Sequence, residues 1–263
     1  KMMVSLWSAA TGMLAQEMNM DVISNNLANV DTTGYKKNRA DFQDLMYQTK
    51  AVAGASNGAG ASTPTGIQIG NGVRAIGTQK IFTTGEFVPT DNNLDMAIEG
   101  NGFFQVLMPD GTMAYTRNGG LSMTATGQVV TADGFFLEPA LTIPSNYTEL
   151  SIGIDGTVTA KTPDSDQVQE IGKIELANFV NPAGLTAIGR NLYKPTDASG
   201  EALVGDAGTD GRGTIRQKML ETSNVKVVEE MVEMITAQRA YEVNTKSIQT
   251  ADSMLQMANN LKR

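Results

Sequence analysis

From Thr214 to Arg263 the chain contains neither glycine nor proline, so nothing local breaks a helix there. Every seventh residue from Leu220 is apolar: Leu220, Val227, Met234, Tyr241, Ile248 and Leu255. The row four residues further on, Asn224, Met231, Gln238, Thr245, Asp252 and Asn259, is mostly polar. The pattern predicts one helix from about Leu220 to Leu261, with an apolar seam beside a polar one. A solitary two-stranded coiled coil would make both seams apolar. Roughly 40 residues at 1.5 Å each would extend about 60 Å, more than a compact domain covers. The plain alternative is a long helix in its own domain's core. A helix that needs other helices, some from other chains, fits the split seam better.

The opposite end carries a similar row. Leu6, Met13, Met20 and Leu27 recur every seven residues, with Ala9, Ala10 and Ile23 beside them. A helix from Ser5 to about Val30 follows, with Ser5 as a cap and Gly34 just past its end. Two apolar rows at the two termini predict helices that pair as a coiled coil, leaving part of the longer one unmatched. Near the end of the first helix, Asn25, Asn26 and Asn29 lie on nearly one face. Short polar side chains there favour a helix end and an Asx or ST turn. Three amides on one face could also form hydrogen bonds between helices or subunits.

Composition removes whole classes of chemistry. The chain has no cysteine and no histidine, so thiolate and imidazole chemistry are both excluded. A net charge of −8 argues against nucleic acid as a partner. No stretch reaches the roughly 20 apolar residues that span a bilayer, so no direct membrane insertion is expected. The apolar start is interrupted by Ser5, Ser8, Thr11 and Gly12, and no cleaved signal peptide is expected.

Between the ends the composition changes twice. Residues 48–66 are rich in Ala, Gly, Ser and Thr and read, taken alone, as a flexible linker. From about Val73 to Ala207 the pattern turns to strands. Phe103–Leu107 and Met113–Arg117 flank Pro109-Asp110-Gly111 as a hairpin, and Asp133-Gly134 and Asp155-Gly156 mark further turns. The fold class is therefore α+β: long N- and C-terminal helices with an inserted antiparallel β domain. The expected segments are 1–34 and 222–263 for the helices and 76–207 for the β domain. Residues 35–75, with the insertion, and 208–221 would connect them.

No catalytic constellation emerges. Gly70-Asn71-Gly72-Val73-Arg74-Ala75 starts like a dinucleotide loop but lacks the third glycine and opens no helix. Asp164, Asp166 and Glu175 suggest a calcium loop, yet Gln169 stands where glycine is required. Asp91, Asp95 and Glu99 could form a glycosidase pair only if two of them converged, and surface turns explain them better. The terminal methionines suit adaptable interfaces. No catalytic residue, cofactor or metal is expected, and the chain is not read as an enzyme.

Six stretches carry a resemblance. Asn25-Asn26-Leu27-Ala28-Asn29-Val30-Asp31-Thr32-Thr33-Gly34-Tyr35-Lys36 resembles the signature of the bacterial flagellar rod and hook family. Glu221-Thr222-Ser223-Asn224-Val225 and Gln238-Arg239-Ala240-Tyr241-Glu242-Val243-Asn244 are similar to its C-terminal signature. Gly70-Asn71-Gly72-Val73, Gly100–Val106 and Tyr115–Gly119 resemble its β domain. The resemblance implies a subunit whose terminal helices pack together as the inner wall of a helical tube. The length and the Ala/Gly-rich insertion favour the distal rod, a stiff drive shaft carrying torque to the hook, over hook or proximal-rod members. A secreted adhesin or glycan-active protein is the weaker alternative.

The implied partners are copies of the chain, the hook protein, proximal rod proteins, the L and P ring proteins as a bushing, and the flagellar type III export apparatus. The implied location is the periplasm-spanning basal body. Leu6, Met13, Met20, Leu27, Val227, Met234, Tyr241, Ile248 and Leu255 are the expected interface anchors, with Asn25, Asn26 and Asn29 giving orientation.

Overall fold

A computed structural model describes residues 2–53, 65–163 and 165–260. The fold is α+β, and the chain divides into two compact units. A helical unit comprises residues 1–27, 38–79 and 226–263, and a β unit comprises residues 28–37 and 80–225.

The helical unit holds α1 (Met2–Ala28) and α2 (Val227–Asn260). The second helix starts later than its apolar row. Leu220 lies in the strand Met219–Glu221, and residues 222–226 are not helical. The reason lies in side-chain bonds: Ser223 binds a backbone N–H of this stretch, and Asn224 ties it to backbone far away in the chain. Ser223 Oγ accepts from Val225 N–H at 3.3 Å. Asn224 Oδ1 accepts from Lys37 N–H at 2.8 Å, and its Nδ2 donates to the Ile81 carbonyl at 2.8 Å. Such bonds are why Ser and Asn favour helix ends. Glu229 and Glu230 then occupy the first turn of α2, where the helix dipole favours negative charge.

Asn38–Asp44 pairs with Val73–Lys80, and Gln48–Ala51 with Ile67–Ile69. The Ala/Gly-rich stretch, expected to be a linker, thus begins in one strand of a paired ribbon and leads into the other; residues 54–64 lie outside the described residues. The Gly70–Ala75 segment is a packing contact on α1. Ser8 Oγ donates to the Gly70 carbonyl at 3.5 Å, and Val73 N–H donates to Thr11 Oγ1 at 3.4 Å.

In the β unit, Phe103–Leu107 and Met113–Thr116 form the expected hairpin, in register from Phe104↔Thr116 to Leu107↔Met113. This hairpin is central to an antiparallel sheet of nine strands among the described residues. Val129–Thr131 and Phe136–Glu138 pair around Gly134. Thr157–Thr162 pairs with Glu149–Ile152 on one side and Ser165–Lys173 on the other. The turns follow the predicted chemistry: Gly111, Gly134 and Gly156 have φ of 79, 83 and 86°, where glycine has no steric penalty. Leu94, Met96, Ile98, Phe104, Leu137, Ile143 and Leu176 lie in one apolar core. Phe103, Tyr115, Phe179 and Tyr193 form an aromatic cluster. Edge-to-face contacts, such as Tyr115 with Phe179 at 4.9 Å, stabilise that cluster beyond area burial alone.

Candidate assembly sites

A buried polar site lies inside the β unit, where three distant stretches meet. Lys36 follows the first helix, Arg117 ends the central hairpin, and Glu221 ends the strand Met219–Glu221. Lys36 Nζ lies 2.6 Å from Glu221 Oε1 and donates to the Thr83 carbonyl at 2.7 Å. Arg117 Nε lies 3.1 Å from Glu221 Oε2. One terminal nitrogen of the same guanidinium donates to the Gly100 and Gly102 carbonyls at 2.8 and 2.7 Å. Gly85 N–H donates to Glu221 Oε1 at 2.9 Å. Side-chain exposure is 0% for Lys36 and Glu221 and 3% for Arg117, so the three charges must satisfy one another.

Burial and the neighbouring Arg117 guanidinium push the Lys36 ammonium down to about 8, against the pull of Glu221. For Glu221, burial alone would raise the carboxyl. Arg117, Lys36 and the Gly85 hydrogen bond outweigh it and hold the group below its ordinary 4.5. Gly34 closes the junction: its N–H donates to the Glu221 carbonyl at 2.8 Å, and its φ is 70°.

The helical unit supplies the second site. Gly12 faces the Asn244 amide, and Thr245 donates to Met13 Sδ at 3.4 Å. Asn26 Nδ2 donates to Glu230 Oε2 at 3.1 Å and to the Asn38 carbonyl at 2.9 Å, while its Oδ1 accepts from Asn38 N–H. Gly12 to Asn26 and Asn244 to Glu230 are equal spans in opposite directions, so the helices run antiparallel. The buried stripe of α2 is Glu230, Ala237 and Ala251, with half-buried Asn244. This also repeats every seven residues, but its side chains are small or polar.

The residues expected as anchors fall into three groups. Leu6, Met13, Met20, Leu27, Met234 and Ile248 are half-buried. Val227, Tyr241 and Leu255 are exposed at 40, 38 and 39%. Of the three amides, Asn26 is buried in the hydrogen bonds just given, Asn25 is exposed, and Asn29 accepts from Thr32 Oγ1 at 3.2 Å. Val228, Met231, Val232 and Ile235 add a further exposed apolar patch on α2.

Lys36, Arg117 and Glu221 have no role in a reading by periodicity. Each stands in a stretch that carries the family resemblance, and that was the available signal. Of the carboxylates weighed as a glycosidase pair, Asp95 accepts from Asn92 and Glu99 pairs with Arg216. Among the described residues no three acidic side chains converge as metal ligands, and Asp164 lies outside them.

The comparisons agree with the motifs. Residues 6–36 match the family described as flagella basal body rod protein. Residues 97–160 match the flagellar hook protein FlgE/F/G D1 domain, and residues 216–261 the flagellar basal body rod FlgEFG protein C-terminal family. The flagellar basal-body rod protein FlgG of Borreliella burgdorferi is 49% identical over 264 residues, with 100% of both chains covered. The chain belongs to the flagellar basal-body rod protein family. FlgG of Caulobacter vibrioides is 48% identical over 99% of this chain and 100% of its own, and FlgG of Bacillus subtilis is 39% identical over all of both. Within the rod family matches, Lys36 closes the N-terminal one, Arg117 lies in the D1 domain, and Glu221 lies in the C-terminal one. The buried junction therefore joins all three matched regions.

Proposed function

We propose that this chain is a non-enzymatic structural subunit of the flagellar distal rod, polymerising into a stiff helical tube that transmits torque to the hook. Full-length identity to FlgG proteins supports the assignment. The exposed apolar patch Val228, Met231, Val232 and Ile235 on α2 is the observation that carries polymerisation. A soluble subunit gains by covering such a patch, at about 25 cal/mol per Å2 of apolar surface. An open filament needs heterologous, non-closing contacts, and a helix with one stripe on α1 and another exposed provides two distinct faces.

In this reading the terminal helices pair as a coiled coil within the polymer. Leu6, Met13, Met20, Leu27, Val227, Met234, Tyr241, Ile248 and Leu255 then pack between copies, and Asn25, Asn26 and Asn29 orient them. Segments 1–34 and 222–263 form the tube wall, and residues 76–207 form the outer β domain. The connectors 35–75 and 208–221 link them. Hook and proximal rod proteins adjoin the tube axially, and the L and P ring proteins surround it in the periplasm. The flagellar type III apparatus exports the chain.

Electron microscopy of the full chain beside Val232→Glu and Ile235→Glu tests this. Straight tubes from the parent and none from either variant, with both monomers retaining their circular dichroism, is the expected result. Dispersed parent subunits even after seeding with sheared flagellar rods would overturn the proposal.

A further inference from the structure

Glu221 is reached last along the chain. Lys36 precedes it by 185 positions and Arg117 by 104. Without Glu221 the folded site would hold two buried cations facing each other, an arrangement penalised by both desolvation and like-charge repulsion. The backbone shows the same mutual dependence. Gly34 N–H donates to the Glu221 carbonyl at 2.8 Å and Lys37 N–H to Asn224 Oδ1 at 2.8 Å. From the other side, Asn224 Nδ2 donates to the Ile81 carbonyl at 2.8 Å, and Ile81 N–H donates to the Lys37 carbonyl at 2.9 Å. Each connector takes its hydrogen bonds largely from the other or from the strands both adjoin.

We propose that Glu221 acts as a latch, making residues 34–37 and 219–225 one cooperative element that docks as a whole, so that the last segment completes the β unit. This concerns the single subunit and stands apart from the polymer reading. Glu221 thus has a positioning role: it holds the segment that leaves α1 and the segment that leads to α2 in one register.

Hydrogen exchange on the full-length monomer tests the coupling. Lys36→Met alters only the N-terminal connector and leaves the Arg117–Glu221 pair in place. The expected result is a loss of protection of tenfold or more at Gly34 and Lys37 and, equally, at Thr222, whose N–H is bonded to the Glu86 carbonyl. Val106 and Ala114 in the central hairpin should keep parental protection. If Lys36→Met does not fold, the near-isosteric Glu221→Gln carries the same expectation for the same amides. Ile152→Val, a small loss in the main core, should leave the junction amides at parental values. Thr222 unchanged while Gly34 and Lys37 loosen would overturn the latch. So would a loss at Val106 and Ala114 by the same factor as at the junction.

Discussion

Lys36 and Glu221 meet at 2.6 Å although 185 positions separate them, and neither side chain is exposed. A contact of this kind is informative because an ion pair out of water adds little net stability by itself. Its force lies in the penalty when one partner is removed. Glu221→Ala would leave Lys36 and Arg117 buried without their anion. The loss expected is about 3–5 kcal/mol, read as a lower denaturant midpoint with unchanged slope. A loss below about 1 kcal/mol, the level of an exposed pair, would mean that water enters the junction.

The same pair sets a pH dependence with two arms. Lys36 has a native value near 8 against an ordinary 10.5. Between those values the unfolded chain holds a proton that the native state has released. Stability contributed by this group therefore rises with pH from about 8 to 10.5. Glu221 lies below its ordinary 4.5, so its contribution is present above that value and is lost as pH falls through the native one. Subtracting the Lys36→Met unfolding curve from the parental curve should isolate the alkaline rise. A difference that falls across that window would contradict the buried, desolvated lysine.

Two glycines should respond in opposite directions to alanine. At Gly34 a Cβ would lie 2.7 Å from Asn118 N and 2.8 Å from the Arg117 carbonyl carbon, and φ is 70°. Left-handed strain of about 1–2 kcal/mol then adds to a clash with backbone that cannot swing away. At Gly12 the nearest atom is the terminal Nδ2 of Asn244 at 2.9 Å, which can rotate aside. The mid-helix gain of roughly 1 kcal/mol over glycine should dominate there. Thermal melts should show Gly34→Ala falling by several degrees and Gly12→Ala level or slightly raised. A stabilised Gly34→Ala would refute the junction geometry.

Removing residues 49–65 should leave the β unit's melting unchanged, because none of its core residues lies in that stretch. The polymer should differ. The ribbon ends, Gln48–Ala51 and Ile67–Ile69, pair only as two strands, which is marginal in isolation, and Tyr47, Val52 and Ile67 are exposed. Contact with a neighbouring copy would stabilise the ribbon and stiffen the tube. Electron micrographs of the deletion filament should show bending; persistence equal to the parent would assign stiffness elsewhere.

The sequence by itself determined what depends on near neighbours. The absence of glycine and proline past Gly213 and the seven-residue rows made two long terminal helices legible. Asp110-Gly111, Asp133-Gly134 and Asp155-Gly156 marked turns, because left-handed backbone demands glycine within a residue or two. The motifs at both ends pointed to the rod and hook family. Only the tertiary structure decided which stripe of α2 lies against α1. Helical period alone cannot choose between Met234 with Tyr241 and Ala237 with Asn244, since both rows repeat every seven residues; the contacts of Asn244 with Gly12 and of Glu230 with Asn26 pick out the second. Nor could local patterns show that Leu220 belongs to a strand, because the bonds of Asn224 to Lys37 and Ile81 cross more than 140 positions. Lys36, Arg117 and Glu221 become one site for the same reason: chain topology, and no local preference, brings two cations to a single carboxylate.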